Sequence, residues 1–160
     1  MCKLVILGLG NTILTDDGAG IYVAREVEEK LRGKGQGLRV KVIEASVGGF
    51  NLIDILAGYD RAVVIDAIHT KNGKPGEFYE LDLAALKPSA RLSSLHQIDF
   101  ATACDLAKKM DVEFPKEFAI FAMEVEDEFS FGEEPTLKVK AAIPKMAESI
   151  VDILAKREWI

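Results

Sequence analysis

Four side chains could do chemistry together: the adjacent carboxylates Asp16 and Asp17, a third carboxylate Asp66, and the imidazole of His96. Asp16 and Asp17 sit in a loop of the opening stretch, residues 3–20, KLVILGLGNTILTDDGAG. Asp66 closes the apolar run RAVVIDAI, and His96 stands just before a helical pattern. Carboxylates and an imidazole form a hard-to-borderline donor set suited to a divalent first-row metal. A set this small leaves coordination positions open, as suits a metal brought by or shared with a substrate. Each residue also has an ordinary reading. Asp is a good N-cap, so either member of the pair can cap the first helix. Asp66 can be a buried acid bonded to loop amides, and His96 a structural or surface histidine. His69, the other histidine, follows the Asp66 run closely enough to stand behind the site.

The elements that must position these groups follow from periodicity. Residues 4–7 are an apolar strand, and Gly8-Leu9-Gly10-Asn11 is a tight turn. Val23, Ala24, Val27 and Leu31 fall on one helical face. Residues 38–45 alternate as a strand, with Glu44 near its end. A short helix runs from Phe50 to about Gly58. The unbroken run 61–68 predicts a central strand buried on both faces. Residues 77–83 predict a further strand, an antiparallel edge. Helices are expected over about 97–110 and 136–156, with a last strand at 117–125. Pro144 lies inside the final helix and predicts a kink or local break. Alternating strands and helices imply a three-layer α/β fold: a mostly parallel, twisted sheet of about five strands with helices on both faces. In such a sheet the acidic loop, Asp66 and His96 can converge at one rim, beyond the carboxyl ends of the strands.

Composition narrows the function. The chain has 160 residues, 49% hydrophobic and 29% charged, consistent with a single globular domain over 1–160. A net charge of -6 argues against nucleic acid as a partner, since phosphate binding needs a basic stripe. No apolar run is long enough for a membrane span. The opening reads as a strand rather than a signal peptide. Cys2 and Cys104 do not make a disulfide framework, which favours a reducing, cytoplasmic setting. They are also poor thiolate ligands by position.

Gly8-x-Gly10 after a strand, with Glu44 as a ribose acceptor, invites a dinucleotide reading. Ile13 takes the place of the third glycine, however, and the aspartate pair would repel a pyrophosphate. No G-x-S-x-G elbow and no H-E-x-x-H is present. A hydrolase using a metal or a carboxylate-activated water remains open.

Taken in order, Gly8-Leu9-Gly10-Asn11, residues 14–20, Val64-Ile65-Asp66-Ala67, Pro75-Gly76 and His96-Gln97 resemble the hydrogenase maturation endopeptidases. The resemblance extends over nearly the whole chain. It implies an endopeptidase that removes the carboxyl-terminal extension of a nickel-iron hydrogenase large-subunit precursor once nickel is installed. The nickel arrives with that substrate, and no organic cofactor is implied. The family's metal-contacting positions fall on Asp17, Asp66 and His96, with Asp16 left as a helix cap. Asp17 is shorter than the Glu of some relatives. Glu44-Ala45-Ser46 replaces the Asp-Gly-Gly turn of many others. The acidic segment 123–134 is the expected place for selecting the large subunit. The competing readings are a nickel-dependent binding or chaperone module that does not cut, and a nucleotide-binding α/β protein.

Overall fold

A computed structural model describes residues 3–32, 40–46, 50–82 and 95–160, with the side chains of 50, 51 and 95–101 outside the description. Its strands are β1 (Leu4–Leu9), β2 (Val40–Ala45), β3 (Arg61–Ile68), β4 (Phe78–Leu81) and β5 (Glu117–Glu124). The helices are α1 (Ala19–Arg32), α2 (Phe50–Leu56), α3 (Leu95–Lys109) and α4 (Leu137–Lys156), and a 3-10 turn (Thr15–Gly18) precedes α1.

The sheet order is β2-β1-β3-β5-β4. The pairs β1–β2, β1–β3 and β3–β5 are parallel, and only β4 runs antiparallel, against β5. The expected five-stranded, mostly parallel sheet is therefore present, including its antiparallel edge.

The inner strands are buried on both faces, and their parity assigns the layers. Leu4 and Ile6 of β1 and Val63 and Ile65 of β3 face one core with α1 and α4. Val5, Leu7 and Leu9 of β1 and Ala62 and Val64 of β3 face the other, with α2 and α3. Edge strand β2 divides likewise: Val40 and Val42 pack toward the first core, Ile43 toward the second.

Two details differ from the sequence expectation. α3 begins at Leu95, so His96 lies in its first turn rather than before it. α4 is one continuous helix through Pro144, so of the expected kink or local break the break is absent. A mid-helix proline costs about 3 kcal/mol. The buried stripe of Val139, Ala142, Met146, Ala147, Ile150, Val151 and Leu154 outweighs it, since each large apolar side chain contributes about 1.5–3 kcal/mol on burial. Residues 38–39, 83 and Cys2, included in the expectations above, lie outside the described residues.

Candidate active site at the β1–β3 switch point

β1 sends the chain to β2 on one side and, after α2, to β3 on the other. This is the place where an open α/β sheet parts its connections and leaves a crevice at the carboxyl strand ends. The Thr15–Gly18 turn follows β1 there, and Asp66 is the sixth residue of β3.

Glycines bring the two carboxylate-bearing segments together. Gly20, at the start of α1, passes so close to the sheet that a Cβ would sit 2.4 Å from the carbonyl oxygens of Ile65 and Leu9. Asp17 is thereby held one turn away from the residue that precedes Asp66. Gly10 has φ +142°, and a Cβ on it would lie 2.0 Å from the Asp17 carbonyl oxygen. Only a glycine tolerates both that conformation and that approach. A Cβ at Gly8 would meet Ala24 Cβ and the Gly20 carbonyl at 2.8 Å. The Gly8-x-Gly10 motif thus seats the acidic turn and α1 on β1, which accounts for it without a phosphate.

Asp66 is 1% exposed, and its Oδ1 accepts the Ala67 N–H at 2.8 Å. Asp17 is half-buried on the turn. The His96 side chain lies outside the description, and its backbone belongs to the first turn of α3. Among the described residues no three His, Cys, Asp or Glu side chains form a metal-holding group.

Asp16 has a different task from the one expected. It is wholly buried. Its Oδ2 accepts the N–H groups of Glu126 and Asp127, each at 3.0 Å, and the Thr136 hydroxyl at 3.0 Å. Its Oδ1 accepts the Thr136 N–H at 2.6 Å. These bonds go to the loop after β5 and to the N-cap of α4, not to α1. The adjoining backbone continues the seam. Thr15 N–H donates to the Gly132 carbonyl at 2.9 Å, Gly132 N–H to the Ile13 carbonyl at 3.0 Å, and Asp16 N–H to the Asp127 carbonyl at 2.8 Å. The Thr15 hydroxyl donates to the Ser130 carbonyl at 2.6 Å, and the Tyr22 hydroxyl to the Glu133 carbonyl at 2.7 Å. The sequence offered no local signal for this seam, whose partners lie 110 to 120 residues apart.

Other polar groups are structural. Glu44, the candidate ribose acceptor, is held by Arg25 Nε and Nη2 at 2.7 and 2.8 Å. Those bonds push its carboxyl below the usual range. Glu124, 2% exposed, accepts the Thr70 hydroxyl at 2.6 Å and the Thr70 N–H at 3.1 Å. It docks the loop that carries His69, whose Nδ1 is 3.8 Å from Glu128. Cys104 is buried in the second core, and burial pushes its thiol up to about 12. It is no thiolate, in agreement with the sequence expectation. At the opposite end of the sheet, Arg61 pairs with Glu117 at 2.9 Å and lies over the Trp159 ring. No described helix is long and apolar enough to cross a membrane.

The fold defines an α/β protein of the doubly wound kind, with carboxylates at its switch point. The chain matches the hydrogenase maturation protease family over residues 21–153, a span that contains Asp66 and His96 and starts after Asp17. It is 27% identical over 156 residues to the hydrogenase 2 maturation protease of Escherichia coli, covering 95% of this chain and 90% of that one. It is also 27% identical to the hydrogenase expression/formation protein HupD of Rhizobium leguminosarum bv. viciae, covering 98% and 75%. Among solved structures, it is similar to the [NiFe] hydrogenase maturation protease HybD of Thermococcus kodakarensis (TM-score 0.72, 28% identity, covering 94% and 98%). It shares its fold with the hydrogenase maturating endopeptidase HybD of Escherichia coli (TM-score 0.79, 24% identity, covering 97% and 93%). This chain belongs to the hydrogenase maturation protease family; it is a hydrolase of the protease class.

Proposed function

We propose that this chain removes the carboxyl-terminal extension of a nickel-loaded [NiFe]-hydrogenase large-subunit precursor. Asp17, Asp66 and His96 would be the groups that engage the substrate's nickel and place the scissile bond. The observation that carries this reading is the nearly complete burial of Asp66 at the carboxyl end of β3, beside the turn that holds Asp17. Two carboxylates would offset the charge of a divalent ion, and an imidazole suits nickel among the first-row metals. Three ligands leave positions for groups that stay with the precursor. A cation arriving beside Asp66 would meet an acid already held out of water, where attraction between opposite charges is least screened. Such a site would discriminate loaded from empty precursor by charge alone. The reaction would be cytoplasmic, as the absence of a disulfide framework in the sequence favours.

Purified precursor, with and without nickel, tests the reading by mass spectrometry of the large subunit. Loss of the extension only from the nickel-loaded form is expected, and Asp66→Ala or His96→Ala should abolish it. Equal removal from the nickel-free precursor would sink the metal-recognition mechanism. Unchanged cutting by either variant would remove that residue from the site.

A further inference from the structure

The seam fixed by Asp16 holds an unusual surface. Among the described residues six large hydrophobic side chains are exposed, and four of them lie on this seam or its continuation. Phe129 is 79% exposed, Phe131 86%, Leu137 86% and Ile13 50%. A parallel bridge joins Leu14 to Gly132, so Ile13 and Phe131 precede the bridged pair on adjacent segments.

The loop that carries these aromatics is heavily bonded. Asp127 Oδ1 accepts the N–H groups of Phe129 at 3.2 Å and Ser130 at 2.9 Å. The Ser130 carbonyl takes the Thr15 hydroxyl, and Gly132 is tied on both sides to residues 13 and 15. Rigid exposed aromatics are the usual anchors of a protein interface, because they bury much area at little entropic cost.

Charge identifies the occupant. Residues 126–135 contain five acids and no Lys or Arg. The nearby Lys140 is engaged by Glu134 at 2.9 Å. Two such loops facing each other would repel, which disfavours a second copy of this chain, and an anionic membrane is disfavoured on the same ground. The surface suits a polypeptide with an apolar segment flanked by Lys or Arg. It is also continuous with the turn that carries Asp17, so a chain lying on it reaches the crevice directly.

We infer that Ile13, Phe129 and Phe131, rimmed by the acids of residues 126–134, dock such a segment of the large-subunit precursor before cleavage. This rests on the function proposed above and deepens it, by adding a recognition surface outside the metal-contacting groups. The contact is made equally in the ground and transition states, so it governs binding rather than the chemical step.

The test uses the full chain, nickel-loaded precursor, and a Phe129→Ser/Phe131→Ser variant whose thermal melt verifies folding. Calorimetric Kd and cleavage kinetics are measured together. The double variant should weaken Kd about tenfold or more, as loss of interface anchors does. Its kcat at saturating precursor should stay within about twofold of the parent. Ile13→Ser should weaken binding in the same direction, and added salt should weaken binding of the parent chain. Unchanged Kd and KM in the double variant, with the parent still cutting, would overturn the docking surface and leave the proposed function standing. Binding without cutting by the parent, lost in the double variant, would keep the surface and sink the endopeptidase reading for this substrate. Failure of the parent to bind at all overturns both. A concentration-dependent dimer that the double variant abolishes reassigns the surface to a second copy and overturns the inference.

Discussion

The carboxylate of Asp16 accepts both the backbone N–H and the hydroxyl of Thr136, at 2.6 and 3.0 Å, across 120 residues of chain. Thr136 is the N-cap of α4, yet its own side chain makes no cap bond. The buried charge sits instead at the start of that helix, where the macrodipole favours it. It thereby ties the beginning of the last helix to the turn that presents Asp17. Asp16→Ala takes the acceptor away from the part-buried donors of Glu126, Asp127 and Thr136. It should cost about 3 kcal/mol in denaturant unfolding, because bonds to an ionised acceptor are strong and orphaned donors are costly. Thr136→Val keeps the backbone bond and should cost about 1 kcal/mol.

Asp17 should behave in the opposite way. Asp17→Asn preserves size and partial exposure, and should leave the unfolding midpoint nearly unchanged. Precursor processing should fall by about two orders of magnitude or more, as losses of a charged reaction-site group do. Unfolding and single-turnover cleavage measured on the same preparations separate the two neighbours. A stable but inactive Asp16→Ala beside an active Asp17→Asn would reverse the assignment.

Gly10→Ala meets two obstacles at once, φ of +142° and a carbonyl oxygen 2.0 Å from the new Cβ. Such a conformation costs about 1–3 kcal/mol before the collision is counted. The variant should unfold at distinctly lower denaturant. Its residual folded fraction should process precursor poorly, since the displaced atom belongs to Asp17. Gly58→Ala is the control: φ there is +79°, but nothing lies within 4 Å of the added methyl. It should lose stability while keeping its specific activity.

The Arg25–Glu44 pair carries a pH signature. The bond to Arg25 lowers the Glu44 carboxyl in the folded state from its ordinary 4.5. Its contribution is therefore fully present above that ordinary value, and is lost as pH falls through the lower folded value. Both side chains are more than a third exposed, so the pair is worth about 0.5 kcal/mol. Glu44→Gln should be slightly less stable than the parent at neutral pH, and the difference should close as pH falls past the ordinary 4.5 and through the lowered folded value. A difference that persisted in acid would show that the pair's charge is not its source.

Cys104 should resist thiol reagents in the folded protein. Its burial and its thiol pushed up to about 12 leave negligible thiolate at neutral pH. In a Cys2→Ser background, iodoacetamide should modify the chain only on unfolding, at a rate that tracks global opening. Rapid native-state labelling with loss of processing would contradict the buried position of this residue.

Much of this molecule was legible along the chain. The unbroken apolar run of β3 announced a strand covered on both sides, the alternation of 38–45 announced a strand, and residues 77–83 announced the antiparallel edge. Asp66 stood out because a lone carboxylate in a run such as RAVVIDAI needs a reason, and the end of a parallel strand supplies one. The Gly8-x-Gly10 turn was visible, but its purpose was not. Its glycines answer to a carbonyl on Asp17 and to the first turn of α1, neither of which a glycine count can show.

What the sequence determined by itself was local: which segments bury which faces, where the turns fall, and which residues stand at strand ends. Periodicity and turn chemistry act over a few residues, so they can be read from a few residues. The resemblance had already set Asp16 apart as a cap and Asp17 as a metal contact; only the tertiary structure showed what Asp16 is bonded to, which is not the first helix. Two adjacent aspartates are equivalent by type, and their fates diverge because of what packs against them. Residues 126–136 return to the first loop and offer Asp16 two backbone amides and both donors of Thr136. Asp16 was thereby fixed as structure.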